Sequence, residues 1–223
     1  EIVDYNTTTG WAYAVNGVTG NLTAIAIKDM KSSEKTDLLD GNDIDVKSMV
    51  EENCAGFVYG DMTSVAVSED GSKLAVAIQA ENYADTGRVA LFTCNADGTL
   101  TFDKVYETGV QPDMVTFASN DSKILTADEG EPRDGYGDGI IDPKGTVTII
   151  NLADQTVSQV DFTSYDNSDS REQLVESGVI LKKNTNPSVD FEPEYIAVGD
   201  KTAYVTLQEA NAIAVIDLNQ QSL

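Results

Sequence analysis

The sequence predicts an all-β protein, and the main evidence is a pattern that occurs three times along the chain. In each occurrence a short apolar strand leads through an Asp, Gly, Ser or Asn turn into a second apolar strand, which is typical of a β-hairpin. The hairpins lie at residues 63–79, 113–129 and 194–208, and a third strand follows each of them, at 87–93, 145–152 and 212–218. A two-strand unit repeated in this way favours a repeat architecture over a β-sandwich, the alternative for many short strands.

A fourth strand can be placed after the first two units, at residues 100–106 and 157–162. Units of four strands, spaced by roughly 50 residues, are typical of β-propeller blades. Residues 10–27 have the pattern of the second and third strands of an earlier blade. We therefore predict one incomplete β-propeller domain over residues 1–223, a fragment of about three and a half four-stranded blades. The blades are expected at residues 1–30 (partial), 62–107, 112–163 and 193–223 (partial).

Short helices are expected only in the connections between blades. Residues 168–178 contain Asp169 and Glu172 at the spacing of a capping box and end on Gly178, and residues 43–53 form a second candidate. A propeller fragment leaves strand edges open. We therefore expect the ring to be completed by missing blades or by pairing with a second chain.

The charge balance excludes several kinds of partner. The chain has 14 Lys and Arg residues against 38 Asp and Glu residues, a formal net charge of -24. Such a surface repels nucleic acid and anionic lipid and attracts cations. The chain has no histidine, which excludes His-based metal sites and Ser-His-Asp hydrolysis within it. A bound metal is therefore expected to be a hard cation such as calcium, held by oxygen atoms. No apolar run approaches the roughly 20 residues of a membrane span, so membrane insertion is not expected.

Several longer strings resemble a known family. They are Pro112–Phe117, Asp128–Arg133, Asp142–Ile150 and Asp190–Ala197, while Ala203–Asp217 resembles the surface-layer YVTN-type propeller repeat. From about residue 1 to its end, the chain is similar to the bacterial choice-of-anchor I domain, also labelled mesenchyme-specific cell-surface glycoprotein. The resemblance implies a secreted or cell-surface propeller and supplies no biochemical activity. This chain contains no signal-peptide pattern, so export requires a leader outside it.

An acidic loop between the second and third strands of blade three is the first candidate site. Asp134, Asp138 and Asp142 are separated by glycines, and their carboxylate oxygens suit a calcium shell. The match to an EF-hand loop fails at two ligand positions, because Tyr136 and Gly145 stand where carboxylates are needed. The loop therefore predicts either a calcium site or a solvated acidic surface.

The second candidate site comes from aligning the repeats. Polar residues follow the second strand of successive blades, and equivalent positions in a propeller converge at one mouth of the central channel. We expect these residues to bind a cation, an amine or a sugar, or else to hydrogen-bond neighbouring blades. They are Gln79, Glu81, Glu129, Glu131, Arg133, Gln208, Glu209 and Asn211, with Glu192 and Glu194 from the start of blade four.

The two cysteines, Cys54 and Cys94, are expected to form one disulfide if the protein is exported. The alternative is a pair of buried free thiols.

Three functions are compatible with these features. The first is a cell-surface binding module that presents an acidic face, with calcium as a ligand, to a protein or glycan partner. The second is a calcium-assisted hydrolase of phosphoesterase type, with carboxylates at the channel mouth. This second function is disfavoured because the chain has no histidine and no evident nucleophile. The third is a structural spacer of a surface protein.

Overall fold

The computed structural model describes residues 2–16, 19–27, 42–137 and 139–223, which form four antiparallel β-sheets in chain order. The first sheet contains β1 (Val3–Asn6), β2 (Trp11–Asn16), β3 (Asn21–Ala26) and β4 (Asn42–Ile44). The second contains β5 (Tyr59–Val67), β6 (Lys73–Ala80), β7 (Thr86–Cys94) and β8 (Leu100–Val110). The third contains β9 (Pro112–Ala118), β10 (Lys123–Asp128), β11 (Thr146–Asn151) and β12 (Val157–Asp161). The fourth contains β13 (Pro193–Val198), β14 (Thr202–Leu207) and β15 (Ala212–Asp217).

The arrangement of these sheets is that of propeller blades. Within each sheet, every strand pairs with the next strand of the chain. The first strands β1, β5, β9 and β13 contact one another in succession. The first strands therefore line a common centre and the last strands lie outside, as in blades around a channel. This confirms the predicted all-β propeller fold.

The first blade is longer than the partial blade predicted at residues 1–30. It has four strands, and its fourth strand pairs with β3 through Ile44 and Leu22. A strand of three residues is too short to show the alternation from which strands are predicted. Residues 28–41, which precede it, lie outside the described part of the chain. The second, third and fourth sheets overlap the ranges 62–107, 112–163 and 193–223.

The helices lie in the connections, as expected. α1 (Val46–Asn53) connects the first two sheets, and α2 (Ser168–Glu176) and α3 (Pro187–Asp190) connect the last two. α2 does not use the predicted Asp169–Glu172 capping box. Its N-cap is Asn167, whose side-chain oxygen accepts the Ser170 amide at 2.9 Å, because the helix begins early enough to place Asp169 inside its first turn.

Apolar side chains fill the three layers between neighbouring sheets. Between the second and third sheets, the small residues Ala75 and Ala77 belong to the same buried cluster as the larger Phe117, Ile124 and Ile150. Small residues combined with large ones allow two sheets to interdigitate at the density of a protein interior. This packing fixes the angle between blades, and therefore where their loops meet.

One glycine permits a close approach at the junction of the last two sheets. A Cβ atom on Gly145 would lie 1.9 Å from the carbonyl oxygen of Phe191. The Gly145 amide also donates to the Ser188 carbonyl at 3.2 Å. The connection that leads into the fourth sheet therefore lies directly against the end of the 129–145 loop.

Candidate functional site

The strand order brings several loops to one mouth of the channel. In an antiparallel sheet the start of the first strand lies beside the end of the second. Pro112 at the start of β9 pairs with Asp128 at the end of β10, and Pro193 at the start of β13 pairs with Leu207 at the end of β14. Residues that follow β10 and β14 therefore meet residues that begin β9 and β13. We call this end of the channel the front mouth.

Six carboxylate side chains form one electrostatic group at the front mouth, which we call the mouth cluster. The negative charge of each residue raises the pKa of another member, or the charge of another member raises its own pKa. Five of the six were predicted from the aligned repeats, and the structure brings these five together. The members are Asp113, Glu129, Glu131, Glu192, Glu194 and Glu209.

Glu129 is the most constrained member contributed by the third sheet. Burial, followed by the negative charges of Asp113 and Glu131, raises the pKa of Glu129 to about 7. The positive charge of Arg133 opposes this shift. However, the Arg133 guanidinium is shared, because it lies 3.4 Å from Glu129 and 3.2 Å from Glu131. One cation shared between two carboxylates leaves an excess of negative charge.

Glu194 and Glu209 form a second carboxyl pair, contributed by the fourth sheet. Burial, followed by the charge of Glu209, raises the pKa of Glu194 to about 7. A bound cation would offset the repulsion between the two carboxylates and favour their charged forms.

A buried glutamine positions the Arg133 side of the mouth. Gln111 is 2% exposed, and its amide nitrogen donates to the carbonyl oxygens of Glu131 and Tyr83 at 2.6 and 3.0 Å. Its amide oxygen accepts the Arg133 Nε–H at 3.1 Å. Gln111 therefore fixes the start of the 129–145 loop to the second blade and orients the guanidinium.

Lys182 forms ion pairs with two buried carboxylates, Glu192 of the cluster and Asp190 beside it. Its ammonium lies 2.9 Å from Glu192 and 3.3 Å from Asp190, which are 5% and 3% exposed in their side chains. It also donates to the Tyr136 hydroxyl at 3.0 Å and lies 4.3 Å from the centre of that ring. Burial alone would lower the pKa of Lys182, but the hydrogen bonds to Tyr136 and Glu192 and the two carboxylate charges raise it. Lys182 therefore stays charged and ties the 129–145 loop to the connection after α3.

Asp128 is buried and structural. It is completely inaccessible, and the hydroxyls of Thr126, Thr146 and Thr148 donate to it at 2.7, 2.9 and 2.6 Å. Burial raises its pKa to about 6 in spite of these bonds. Since no ligand can reach it, Asp128 connects strands β10 and β11 and does not belong to a site.

The acidic loop is described in part. Asp138 lies outside the described residues. The Tyr83 hydroxyl donates to the Ile141 carbonyl of this loop at 3.2 Å. Burial, followed by the charges of Asp134 and Asp142, raises the pKa of Tyr83. One oxygen of Asp142 is buried and has no hydrogen-bond partner. The structure thus places Asp134 and Asp142 near one hydroxyl, and calcium binding stays a prediction.

Five residues of the predicted channel-mouth set are not members of the mouth cluster: Arg133, which contacts it, and four that lie elsewhere. Gln79 is on β6, in register with Asp61. Glu81 lines a groove of about 430 Å³ with Phe57, and Gln208 and Asn211 line a shallow hollow beside β15. These positions are equivalent in the repeat, but the loops after β6 and β14 take different paths.

The repeat alignment missed Asp113 and Lys182. Asp113 is the second residue of β9, as Glu194 is of β13, so the position of Asp113 in its strand was a usable signal. Lys182 lies in an irregular connection between blades, where no repeat pattern identifies equivalent residues.

The predicted disulfide between Cys54 and Cys94 is wrong, because both residues are free thiols. Cys54 lies beside Arg88 of strand β7, whose Nε–H donates to the Cys54 sulfur at 3.2 Å. Cys94 ends β7, six residues beyond Arg88. Six strand residues span about 20 Å, and a disulfide requires Cα atoms within about 7 Å. The predicted alternative, two free thiols, therefore holds, although both are only partly buried.

In residues 2–16, 19–27, 42–137 and 139–223, no three Asp, Glu or Cys side chains are arranged to hold a metal ion. Within the same ranges, no helix has the length and apolar character needed to cross a bilayer.

Solved structures show the same fold. Kuenenia stuttgartiensis hydrazine synthase matches with a TM-score of 0.59 and 12% identity, over 97% of this chain and 52% of that chain. The β-propeller domain of Myceliophteria thermophila Cps50 (Swd1) matches with a TM-score of 0.53 and 12% identity, over 99% of this chain and 53% of that one. The chain thus spans about half the length of these structures, and at this identity they show the fold alone. No curated protein matches this chain.

The family is identified by a match along the whole sequence. The model of the choice-of-anchor I domain matches residues 1–223, the range over which the strings Asp128–Arg133 and Asp190–Ala197 resembled that family. The chain, which has four propeller sheets and an acidic front mouth, therefore belongs to the choice-of-anchor I domain family.

Proposed function

We propose that the protein is a secreted or cell-surface β-propeller that acts as a binding module, and that its front mouth binds a cationic ligand. The family supports a surface-associated role. The observation that carries the binding proposal is that Glu129 and Glu131 share the single guanidinium of Arg133, at 3.4 and 3.2 Å, within a group of six carboxylates. Burial, and after it the charges of neighbouring carboxylates, raises the pKa of Glu129 and of Glu194 to about 7, in agreement with an excess of negative charge at the mouth.

The geometry of the cluster favours an organic ammonium group over a tightly held metal ion. No three of its carboxylates are arranged to hold a metal ion in the described residues. An ammonium group donates hydrogen bonds to two or three separate acceptors, as Lys182 does beside the cluster with Glu192 and Tyr136. A basic side chain of a protein partner or an amino sugar has this chemistry. Calcium, which fills a shell of six to eight oxygens partly with water, is the second ligand.

Isothermal titration calorimetry on chelator-treated protein tests this proposal, with spermidine and calcium chloride as separate probes at pH 6 and pH 8. Binding should be tighter at pH 8, because fewer protons compete for Glu129 and Glu194. A charge-assisted hydrogen bond contributes about 1.5–3 kcal/mol, so Glu194→Gln should weaken binding by roughly tenfold or more. Glu172→Gln, an exposed change on α2, is the control.

Equal affinity of Glu194→Gln and the unaltered protein would show that the ligand binds elsewhere. No heat from either probe up to millimolar concentration would favour the structural-spacer function. Calcium-dependent turnover of a phosphoester, abolished by Glu194→Gln, would establish the hydrolase function in place of the binding module.

We also propose calcium as a ligand of the 134–142 loop, on a separate observation. One Asp142 oxygen is buried and has no hydrogen-bond partner, and burial raises the pKa of Asp142. A bound cation would satisfy that oxygen. Calcium titration of Asp142→Asn tests this, since the mouth cluster is left intact: unchanged calcium binding in this variant would exclude the loop.

A further inference from the structure

The two ends of the Arg133 guanidinium are held differently. Its Nε–H donates to the Gln111 amide oxygen at 3.1 Å, and Nε lies 3.2 Å from a Glu131 carboxylate oxygen. At the other end of the group, Nη2 lies 3.4 Å from a Glu129 carboxylate oxygen. Within the described part of the chain, the contacts at the Nε end are therefore shorter and more numerous than the contact at the Nη2 end.

Gln111 keeps the Nε end in place. Its side chain is buried, and its amide nitrogen donates to the main-chain carbonyls of Tyr83 and Glu131. Its own main-chain carbonyl accepts the Glu129 amide at 2.9 Å. The Gln111 backbone has a φ of 54°, a left-handed conformation that is uncommon for a residue with a side chain and that these bonds hold. The partner of Nε therefore belongs to the rigid frame of the mouth.

The contact between Arg133 and Glu129 is the one that a ligand could replace. The side chains of Arg133 and Glu129 are 48% and 18% exposed. An ion pair with a half-exposed partner contributes little, because water and salt screen it. A turn of the guanidinium about its Nε end would release Glu129 without breaking the contacts of Nε with Gln111 and Glu131.

We propose that Arg133 is an internal competitor of the cationic ligand and limits the affinity of that ligand for the front mouth. In the free protein Nη2 occupies Glu129. When an ammonium group binds, it takes this place, and the guanidinium turns away on its Nε end. The displaced guanidinium stays beside Glu131, so its positive charge continues to oppose the bound cation. The inference rests on the proposed function and identifies the residue that sets the strength of binding.

Isothermal titration calorimetry with spermidine at pH 8 tests the inference on Arg133→Gln. This variant should bind spermidine roughly tenfold more tightly than the unaltered protein, because a positive charge next to the ligand is removed. Arg133→Lys keeps the charge and should not tighten binding. Lys201→Gln is the matched control, since Lys201 is exposed in the turn between β13 and β14, at the opposite end of the channel. Its charge is screened from the front mouth, so the control should change the affinity by less than about twofold.

The pH dependence separates competition from a structural role. The charge of Arg133 lowers the pKa of Glu129, so this pKa should rise in Arg133→Gln, and carbon-13 NMR of the glutamate carboxyl groups measures it. More protons then compete with spermidine at pH 6, and the gain in affinity should be smaller at pH 6 than at pH 8. An equal gain at both pH values would overturn the inference, because Glu129 would then not hold the ligand.

Unchanged or weaker spermidine binding by Arg133→Gln, with binding still weakened in Glu194→Gln, would overturn the inference and leave the proposed function in place. Arg133 would then position the carboxylates instead of competing. Equal tightening by Lys201→Gln would overturn it as well, since net charge alone would explain the gain. If neither the unaltered protein nor Arg133→Gln bound spermidine, the proposed ammonium binding and the inference would both fail. Circular dichroism confirms that each variant is folded, and Arg133→Met serves as a second neutral variant.

Discussion

Replacing Glu129 by glutamine should remove a pH dependence from the stability of the protein. Burial and neighbouring carboxylates raise the pKa of Glu129 from 4.5 to about 7. Between these two values the folded chain holds more protons than the unfolded chain. The free energy of unfolding therefore falls as the pH rises from about 4.5 to about 7. The stabilisation by the proton on Glu129 is complete below this range and lost above it.

The size of the effect follows from the shift. A shift of this size corresponds to about 3.4 kcal/mol, at 1.36 kcal/mol per pKa unit. Solvent screening reduces this figure because 18% of the Glu129 side chain is exposed, so we expect about 1–2 kcal/mol. The glutamine variant loses the 3.4 Å contact with half-exposed Arg133, a loss of less than about 1 kcal/mol at any pH.

Urea unfolding at pH 5, 6, 7 and 8 measures this directly. Relative to the unaltered protein, Glu129→Gln should gain about 1–2 kcal/mol between pH 5 and pH 8. Glu172→Gln, an exposed change on α2, should show no gain. Parallel curves for Glu129→Gln and the unaltered protein would refute the electrostatic reasoning, because Glu129 would then titrate alike in the folded and unfolded chains.

Three further predictions test the packing and the charges. Gly145→Ala should destabilise the protein by about 1–3 kcal/mol in urea unfolding, because a Cβ there overlaps main chain of the next connection; Gly199→Ala, which meets nothing closer than 3.7 Å, should change stability little. Without reductant, Ellman's reagent should detect two thiols in the unfolded chain. In the folded chain Cys94 should stay unreactive, because burial raises its pKa to about 11. A reading of zero thiols in the unfolded chain would instead indicate a disulfide between Cys54 and Cys94. Lys182→Met should lower the free energy of unfolding by about 3–5 kcal/mol at pH 8, because two buried carboxylates lose their cation. The loss should be smaller at pH 5, where a carboxyl group takes up a proton. An equal loss at both pH values in the same urea assay would contradict this explanation.

The blade pattern could be predicted from the sequence because it is local. Each hairpin shows its pattern of an apolar strand, a polar turn and a second apolar strand within about 15 residues, as in Pro112–Ala118 paired with Lys123–Asp128. The repeat also predicted much of the mouth cluster. In a propeller the position of a residue within its repeat determines its position within the blade, so Glu129 and Glu209, which follow the second strands of their blades, could be assigned to one mouth.

The contacts of residues outside the repeat were decided only by the tertiary structure. Lys182 lies in an irregular connection, and its position against Glu192 depends on how the third and fourth sheets pack. The pKa of Glu129 depends on Asp113, which lies on the neighbouring strand β9, because electrostatic interaction follows distance in space and burial rather than separation along the chain. The state of the two cysteines was decided in the same way, since Cys94 is fixed at the far end of β7 by strand pairing that no spacing between cysteines reveals.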